Sequence, residues 1–173
     1  MADGVTLRAA LWHPRGPARG VVVMLPGRTE FLEKLTLPAG ELVARGFSVA
    51  ALDWRGQGLS DRLLPEPAKG HVRHFAEYRH DLAALLAEPR VAALPGPRVL
   101  VGHSMGGAIA LGAVADGLAE EPRAVVLTAP MLGIRLSRGA RAAARARAAA
   151  GRVARLASRW PPMPGARRPY VQF

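Results

Sequence analysis

The chain has 173 residues, of which half are apolar, no cysteine and a formal net charge of +11. A chain of this length forms one domain with a buried core, and without cysteine it has neither disulfides nor thiolate metal sites. No apolar run approaches the roughly 18 residues of a membrane span, and the first residues lack the pattern of a signal peptide. The sequence therefore predicts a cytoplasmic protein.

The positive charge is concentrated near the end of the chain. Residues 1–130 carry 14 basic and 13 acidic side chains, whereas residues 131–173 carry 10 arginines and no acidic side chain. This contrast predicts a nearly neutral body over 1–130 and an arginine-rich region over 131–173.

Apolar runs alternate with helical spacings along the body. Strands are predicted at 5–12, 21–25, 47–52, 99–101 and 124–127, and helices at 33–45, at 75–86 and from residue 105 to about residue 118. This alternation is typical of an α/β fold with a mostly parallel sheet and helices on both faces. Active sites in such sheets lie at the carboxyl ends of the strands. Gly27, Asp53 and Ser104 each follow a predicted strand, so we expect them at one edge of the sheet.

The segment 102–107, with the sequence GHSMGG, has the pattern of a nucleophile elbow. In such an elbow a serine stands between glycines in a sharp turn from a strand into a helix, which exposes its hydroxyl at the edge of the sheet. The start of the helix also offers free N–H groups to a developing oxyanion. The pattern predicts Ser104 as the nucleophile of an acyl transfer and the backbone N–H of Met105 as one oxyanion donor.

A second oxyanion donor is expected from the loop that follows the strand at 21–25. This loop, residues 26–31, has the sequence PGRTEF. Gly27 allows the backbone to approach a substrate closely, and the backbone N–H of Arg28 is the predicted donor. This chemistry requires neither a metal nor an organic cofactor.

Three motifs occur in an order that is typical of one family. They are PGRTEF at 26–31, LDWRGQGLSD at 52–61 and GHSMGG at 102–107, and the similarity extends through TAPMLG at 128–133. The chain resembles the α/β-hydrolase superfamily, in particular its lysophospholipase and monoacylglycerol lipase branch. The resemblance implies hydrolysis of a carboxylic ester, in a lysophospholipid or a monoacylglycerol, through an acyl-enzyme. It also implies that residues 131–173 begin the cap over the active site.

The chain departs from this family after the nucleophile. In the family an acid and then a histidine follow the serine, in a much longer chain. Here every histidine precedes Ser104 or adjoins it, and the acidic residues beyond it are Asp116, Glu120 and Glu121. We therefore expect a fragment, half of a split gene or a degenerate protein, with little activity by itself. His71 and His74, in a loop before a helix, are the alternative bases.

The arginine-rich region favours an alternative from another functional class. From Arg138 to Trp160 an alanine-rich pattern predicts a helix, on which six arginines share an arc of about 100° beside an apolar edge. Such a helix suits an anionic membrane surface. The alternative is a non-catalytic protein that binds lipid or the inner face of the membrane through this region, and a solvated cap helix is the simpler interpretation. No nucleic-acid-binding motif of interleaved basic and aromatic residues appears, so no nucleic acid is expected as a partner.

Overall fold

The computed structural model describes residues 3–119 and 122–134, together with residue 139. The described residues up to Leu132 form a compact unit. Its strands are β1 (Ala9–Trp12), β2 (Val21–Leu25), β3 (Ser48–Leu52), β4 (Arg98–His103) and β5 (Ala124–Thr128). Its helices are α1 (Thr36–Ala44), α2 (Glu77–Ala87), α3 (Pro89–Ala92) and α4 (Met105–Ala115), and a 3-10 helix at Leu32–Leu35 precedes α1.

The strands form a single mixed sheet in the order β1-β3-β2-β4-β5. Strands β2 to β5 are parallel to one another, and β1 runs antiparallel to β3, with Ala9 opposite Leu52. Since β2, β3 and β4 point the same way, the loops that follow them leave one edge of the sheet. The predicted α/β architecture with a mostly parallel sheet is confirmed.

Helices cover both faces of the sheet, as predicted. Every residue of β2 and β3 is buried, which agrees with their continuous apolar runs. On one face these strands contact a cluster that includes Tyr78 and Leu82 of α2 and Ile109 of α4. On the other face a smaller cluster contains Ala39 of α1. The sheet is thus the middle layer of three.

The first strand is shorter than predicted because its amino-terminal half bonds to residues 53–61, which follow β3, instead of to a strand. The carbonyls of Thr6 and Arg8 accept from the N–H groups of Asp61 and Asp53. The N–H of Thr6 donates to Oδ2 of Asp61 at 2.7 Å, and the N–H of Arg8 donates to Oγ of Ser60 at 2.8 Å. The predicted helix over 138–160 lies outside the described residues, except for residue 139. None of the helices described is both long and apolar enough to span a bilayer.

Candidate active site

The turn at Ser104 joins β4 to α4 with a strained backbone. Ser104 has φ 49° and ψ −113°, a conformation that residues other than glycine rarely adopt. Its N–H donates to the carbonyl of Thr128 at 3.0 Å, and its own carbonyl accepts from the N–H of Met131 at 2.9 Å. Such strain costs about 1–3 kcal/mol and persists where the surroundings fix the backbone. The segment after β5 supplies that fixation here.

Two glycines of the turn lie so close to neighbouring backbone that no side chain would fit there. A Cβ on Gly102 would lie 2.6 Å from Cα of Gly107, and a Cβ on Gly106 would lie 2.1 Å from the carbonyl oxygen of Leu25. Since real Cβ atoms do not approach backbone so closely, α4 can begin against β4 only with glycine at 102, and against the end of β2 only with glycine at 106. Close packing between helix and strand therefore explains both glycines.

The first turn of α4 leaves backbone donors unpaired. Ser104 is the N-cap of this helix, and its carbonyl accepts from the N–H groups of Gly107 and Ala108. The N–H groups of Met105 and Gly106 donate to no other residue in the part of the chain that the structure describes. Unpaired N–H groups at a helix start attract negative charge, so this end of α4 can bind an anion next to the Ser104 hydroxyl.

The loop after β2 lies against this turn. A Cβ on Gly27 would stand 3.3 Å from Cβ of Ser104, so the backbone of the loop passes directly beside the serine. The N–H of Gly27 donates to Oε2 of Glu30 at 2.5 Å, and the N–H of Thr29 donates to Oε1 of Gln57. Between them, the N–H of Arg28 has no acceptor within the described ranges. The structure thus brings the loop of Arg28 together with Ser104.

The turn after β3, residues 53–61, holds this loop through hydrogen bonds from its side chains. The side chain of Asp53 is fully buried and accepts from the N–H of Leu32 at 2.8 Å and from that of Leu59 at 2.9 Å. Nε1 of Trp54 donates to the carbonyl of Pro26 at 2.8 Å. Asp53 is therefore a carboxylate that fixes loops. Sequence reasoning did not find the role of Trp54, although the motif at 52–61 contained it.

A buried ion cluster fastens the same turn to α2. The guanidinium of Arg55 contacts both carboxylate oxygens of Asp81, and it also contacts Oε2 of Glu77 at 2.9 Å and Oδ2 of Asp3 at 2.7 Å. Burial raises the pKa of Asp81, while the hydrogen bonds of Arg55 oppose that rise. All the carboxylates converge on one cation, which indicates a structural fastening that the sequence reasoning missed.

The histidines that were considered as alternative bases do not contact the serine. His71 and His74 are exposed, and the N–H of His74 donates to Oε1 of Glu77 at 3.1 Å. The ring of His103 hydrogen-bonds to Oγ1 of Thr128 at 3.0 Å. No hydrogen bond joins the Ser104 hydroxyl to an imidazole among residues 3–119 and 122–134, and no group of acidic and histidine side chains there could hold a metal ion.

The strained serine between a parallel strand and a helix, with unpaired N–H groups beside it, is the arrangement of the α/β-hydrolases. A profile of one family of these enzymes, described as serine aminopeptidase S33 (Hydrolase_4), matches residues 16–171. The chain belongs to this family.

Relatives of known function lie in the branch that the motifs resemble. Over 119 residues the chain is 44% identical to lysophospholipase L2 of Escherichia coli strain K12. The match covers 66% of this chain and 33% of that protein. Over 129 residues it is 35% identical to the monoacylglycerol lipase of Mycolicibacterium smegmatis. This match covers 73% of this chain and 43% of that protein. The chain therefore spans between a third and a half of the length of these relatives.

Solved structures show the same fold. The monoacylglycerol lipase of Paleococcus ferrophilus superposes with a TM-score of 0.65 at 24% identity, over 88% of this chain and 52% of that one. A soluble variant of the monoglyceride lipase of Saccharomyces cerevisiae gives a TM-score of 0.61 at 23% identity, over 90% of this chain and 50% of that one. At this level of identity the likeness concerns the fold alone.

Proposed function

We propose that this chain supplies the nucleophile and the oxyanion hole of a serine hydrolase that cleaves carboxylic esters. Oγ of Ser104 attacks the ester carbonyl carbon, and the N–H groups of Met105 and Arg28 bind the oxygen as it becomes negative. Collapse of this intermediate expels the alcohol and leaves an acyl group on the serine, which water then removes. The observation that supports the proposal is that a Cβ on Gly27 would lie 3.3 Å from Cβ of Ser104, so the loop with the unpaired N–H of Arg28 runs beside the serine.

The proposed reaction also needs a base and an acid. A serine hydroxyl without a base stays protonated and is a weak nucleophile. No described residue supplies that base, so we place the histidine and the acid outside the 173 residues. The complete enzyme is then this chain together with the residues that supply the histidine and the acid. The 173 residues alone are expected to turn over ester very slowly.

The substrate class is inferred from the relatives. The similar curated proteins are a lysophospholipase and a monoacylglycerol lipase, and both names denote enzymes that act on an ester of a glycerol backbone. We therefore propose a lysophospholipid or a monoacylglycerol as the substrate. The proposed steps use side chains and backbone amides alone.

The test measures hydrolysis of a short p-nitrophenyl ester by the complete enzyme. Replacement of Ser104 by alanine should lower kcat by a factor on the order of 10⁶, because it removes the attacking oxygen. The matched control is Ser48→Ala, which changes a serine buried within β3 and should keep the activity. Full activity in the Ser104 variant would contradict the assignment of the nucleophile.

The 173-residue chain provides a second test. We expect very low turnover of the same ester, with residual catalysis on the order of 10³–10⁴ over the rate in water. If it instead turned over at the rate of an ordinary esterase, the base would lie within the chain. His71→Ala and His74→Ala would then show which imidazole serves, and the proposal of an external base would be wrong.

A membrane surface is the second partner that we propose, and it rests on the charge of residues 131–173. These residues carry 10 arginines and no acidic side chain, a composition that anionic lipid attracts. They lie almost entirely outside the described residues, so the test uses the whole chain. Replacing the arginines between 138 and 159 with glutamine should reduce co-sedimentation with anionic vesicles. Co-sedimentation with zwitterionic vesicles should stay unchanged. Equal binding by both proteins would exclude this region as an anchor.

A further inference from the structure

The loop of Arg28 contains a second strained residue, Thr29. Its φ is 62°, and a branched side chain at such an angle is a genuine outlier. The residue lies next to Arg28, whose N–H faces no acceptor within the described chain. An oxyanion donor contributes only if its position is fixed before the reaction, so the loop needs an anchor that keeps Thr29 in this conformation.

Gln57 provides the anchor. Its Oε1 accepts the N–H of Thr29, and the residue is 5% exposed. The backbone of Gln57 is itself bound within the turn after β3, where its N–H donates to the carbonyl of Trp54 at 2.9 Å and its own carbonyl accepts from the N–H of Ser60 at 3.1 Å. The hydrogen bond therefore connects the loop to a firmly bonded turn on another strand.

The other contacts of the loop hold different atoms. Nη2 of Arg28 donates to the carbonyl of Gly70 at 3.1 Å, which holds that side chain and not the backbone N–H. Glu30 holds the N–H of Gly27, but Glu30 belongs to the loop and moves with it. Trp54 holds the carbonyl of Pro26, which fixes the start of the loop. Gln57 is the group from another segment that binds the amide directly after Arg28.

The unpaired amide nitrogen of Gln57 indicates that only the side-chain oxygen of this residue has a role in holding the loop. Nε2 is buried and has no hydrogen-bond partner in the described part of the chain. A buried donor without a partner is costly, so stability alone does not favour glutamine here. The position requires an acceptor of this length, and it tolerates the orphaned donor.

We propose that Gln57 is a positioning residue of the oxyanion hole: it holds the strained Thr29 and thereby aims the N–H of Arg28 at the carbonyl carried on Ser104. This inference rests on the proposed function of Ser104. It predicts that removing the acceptor oxygen harms the transition state and leaves the binding of the ester unchanged.

The test compares two variants of the complete enzyme. Gln57→Met keeps the size of the side chain but removes the acceptor, and we expect kcat to fall about 10- to 100-fold, as for a displaced catalytic group, with KM unchanged. Gln57→Glu keeps the oxygen and should retain most of the kcat. The affinity for a trifluoromethyl ketone, which forms an oxyanion on the serine, should fall in parallel with kcat.

Arg62→Met is the matched control. Arg62 donates to the carbonyls of Gly56 and Gly58 in the same turn, and both of these acceptors belong to the turn after β3 rather than to the loop of Arg28. The control should lower stability and leave kcat unchanged. If Gln57→Met does not fold, Gln57→Asn takes its place, because it withdraws the oxygen by one methylene, and the same fall in kcat is expected.

A double variant tests the route through Thr29. Glycine adopts a positive φ without strain, so Gln57→Met should cost less kcat when Thr29 is replaced by glycine. An unchanged kcat in Gln57→Met, or an equal loss in Gln57→Met and Gln57→Glu, would overturn the inference. These outcomes concern Gln57 alone as long as Ser104→Ala is inactive, whereas an active Ser104→Ala would overturn the proposed function instead.

Discussion

The turn after β3 and the turn after β4 leave the same edge of the sheet but use their backbone donors differently. In the turn at 53–61 three N–H groups are satisfied within the turn: that of Gly56 bonds to Asp61, that of Gln57 bonds to Trp54, and that of Leu59 bonds to Asp53. In the turn at Ser104, the N–H groups of Met105 and Gly106 remain unpaired within the described residues.

This difference distinguishes a turn that supports the fold from a turn whose unpaired N–H groups are available to a substrate. A paired N–H stabilises the fold but cannot bind a substrate, whereas an unpaired one lowers stability and is available to a developing charge. The turn at 53–61 is the rigid support, and the turn at Ser104 carries the strain and the free donors. Four variants test this division, in decreasing order of expected effect.

The largest effect is expected from Gly106→Ala in the turn at Ser104. The new Cβ would lie 2.1 Å from the carbonyl oxygen of Leu25, so α4 must move away from β2, at a cost of about 4 kcal/mol in the free energy of unfolding. Urea denaturation measures it. The control is Gly40→Ala in α1, where no atom lies within 4 Å of the new Cβ, and which should be neutral or slightly stabilising. Equal effects of the two variants would contradict the close contact at the turn.

The next effect is expected in the supporting turn, from Asp53→Ala. The change leaves the N–H groups of Leu32 and Leu59 without an acceptor, and each buried unpaired donor costs about 1–3 kcal/mol. We expect a loss of about 3 kcal/mol by urea denaturation, and a smaller loss in Asp53→Asn, which keeps one oxygen. A larger loss for asparagine than for alanine would argue against hydrogen bonding as the cause.

Trp54→Phe should have a smaller effect on the join between the supporting turn and the loop of Arg28. It keeps an aromatic ring in the core but removes the bond from Nε1 to the carbonyl of Pro26. The loss of one buried hydrogen bond costs about 1–2 kcal/mol. Thermal unfolding measures this cost, and an unchanged midpoint would show that the bond does not stabilise the loop.

The smallest effect is a pH dependence at the ion pair of Arg8 and Glu33, which lies beside the supporting turn because Arg8 also contacts Oδ2 of Asp53 at 3.4 Å. The hydrogen bond from Arg8 lowers the pKa of Glu33 below its ordinary value of 4.5. A lowered pKa in the folded state gives stability that is present above the ordinary value and is lost as the pH falls. The urea midpoints of the protein and of Glu33→Gln should therefore differ at neutral pH and converge in acid. A difference that grows in acid would contradict this sign.

Much of the fold and part of the site can be predicted from local sequence. The apolar runs predict β2, β3 and β5 to within a residue or two, and the glycines around Ser104 predict a sharp turn into a helix, because both signals depend on neighbouring residues. The loop of Arg28 was also placed near the serine, since parallel strands end at one edge of the sheet. The catalytic roles of Ser104, Arg28 and Met105 stay predictions.

Tertiary structure alone decided how the loops at this edge are held. Gln57 meets Thr29, Trp54 meets Pro26, and Arg55 meets Asp81, each across more than 20 positions of the chain. The sequence identified the motif at 52–61 but not its partners, because no periodicity links residues that only a folded sheet brings together. Local geometry thus determined which turns form, and the order of the strands determined which side chains support them.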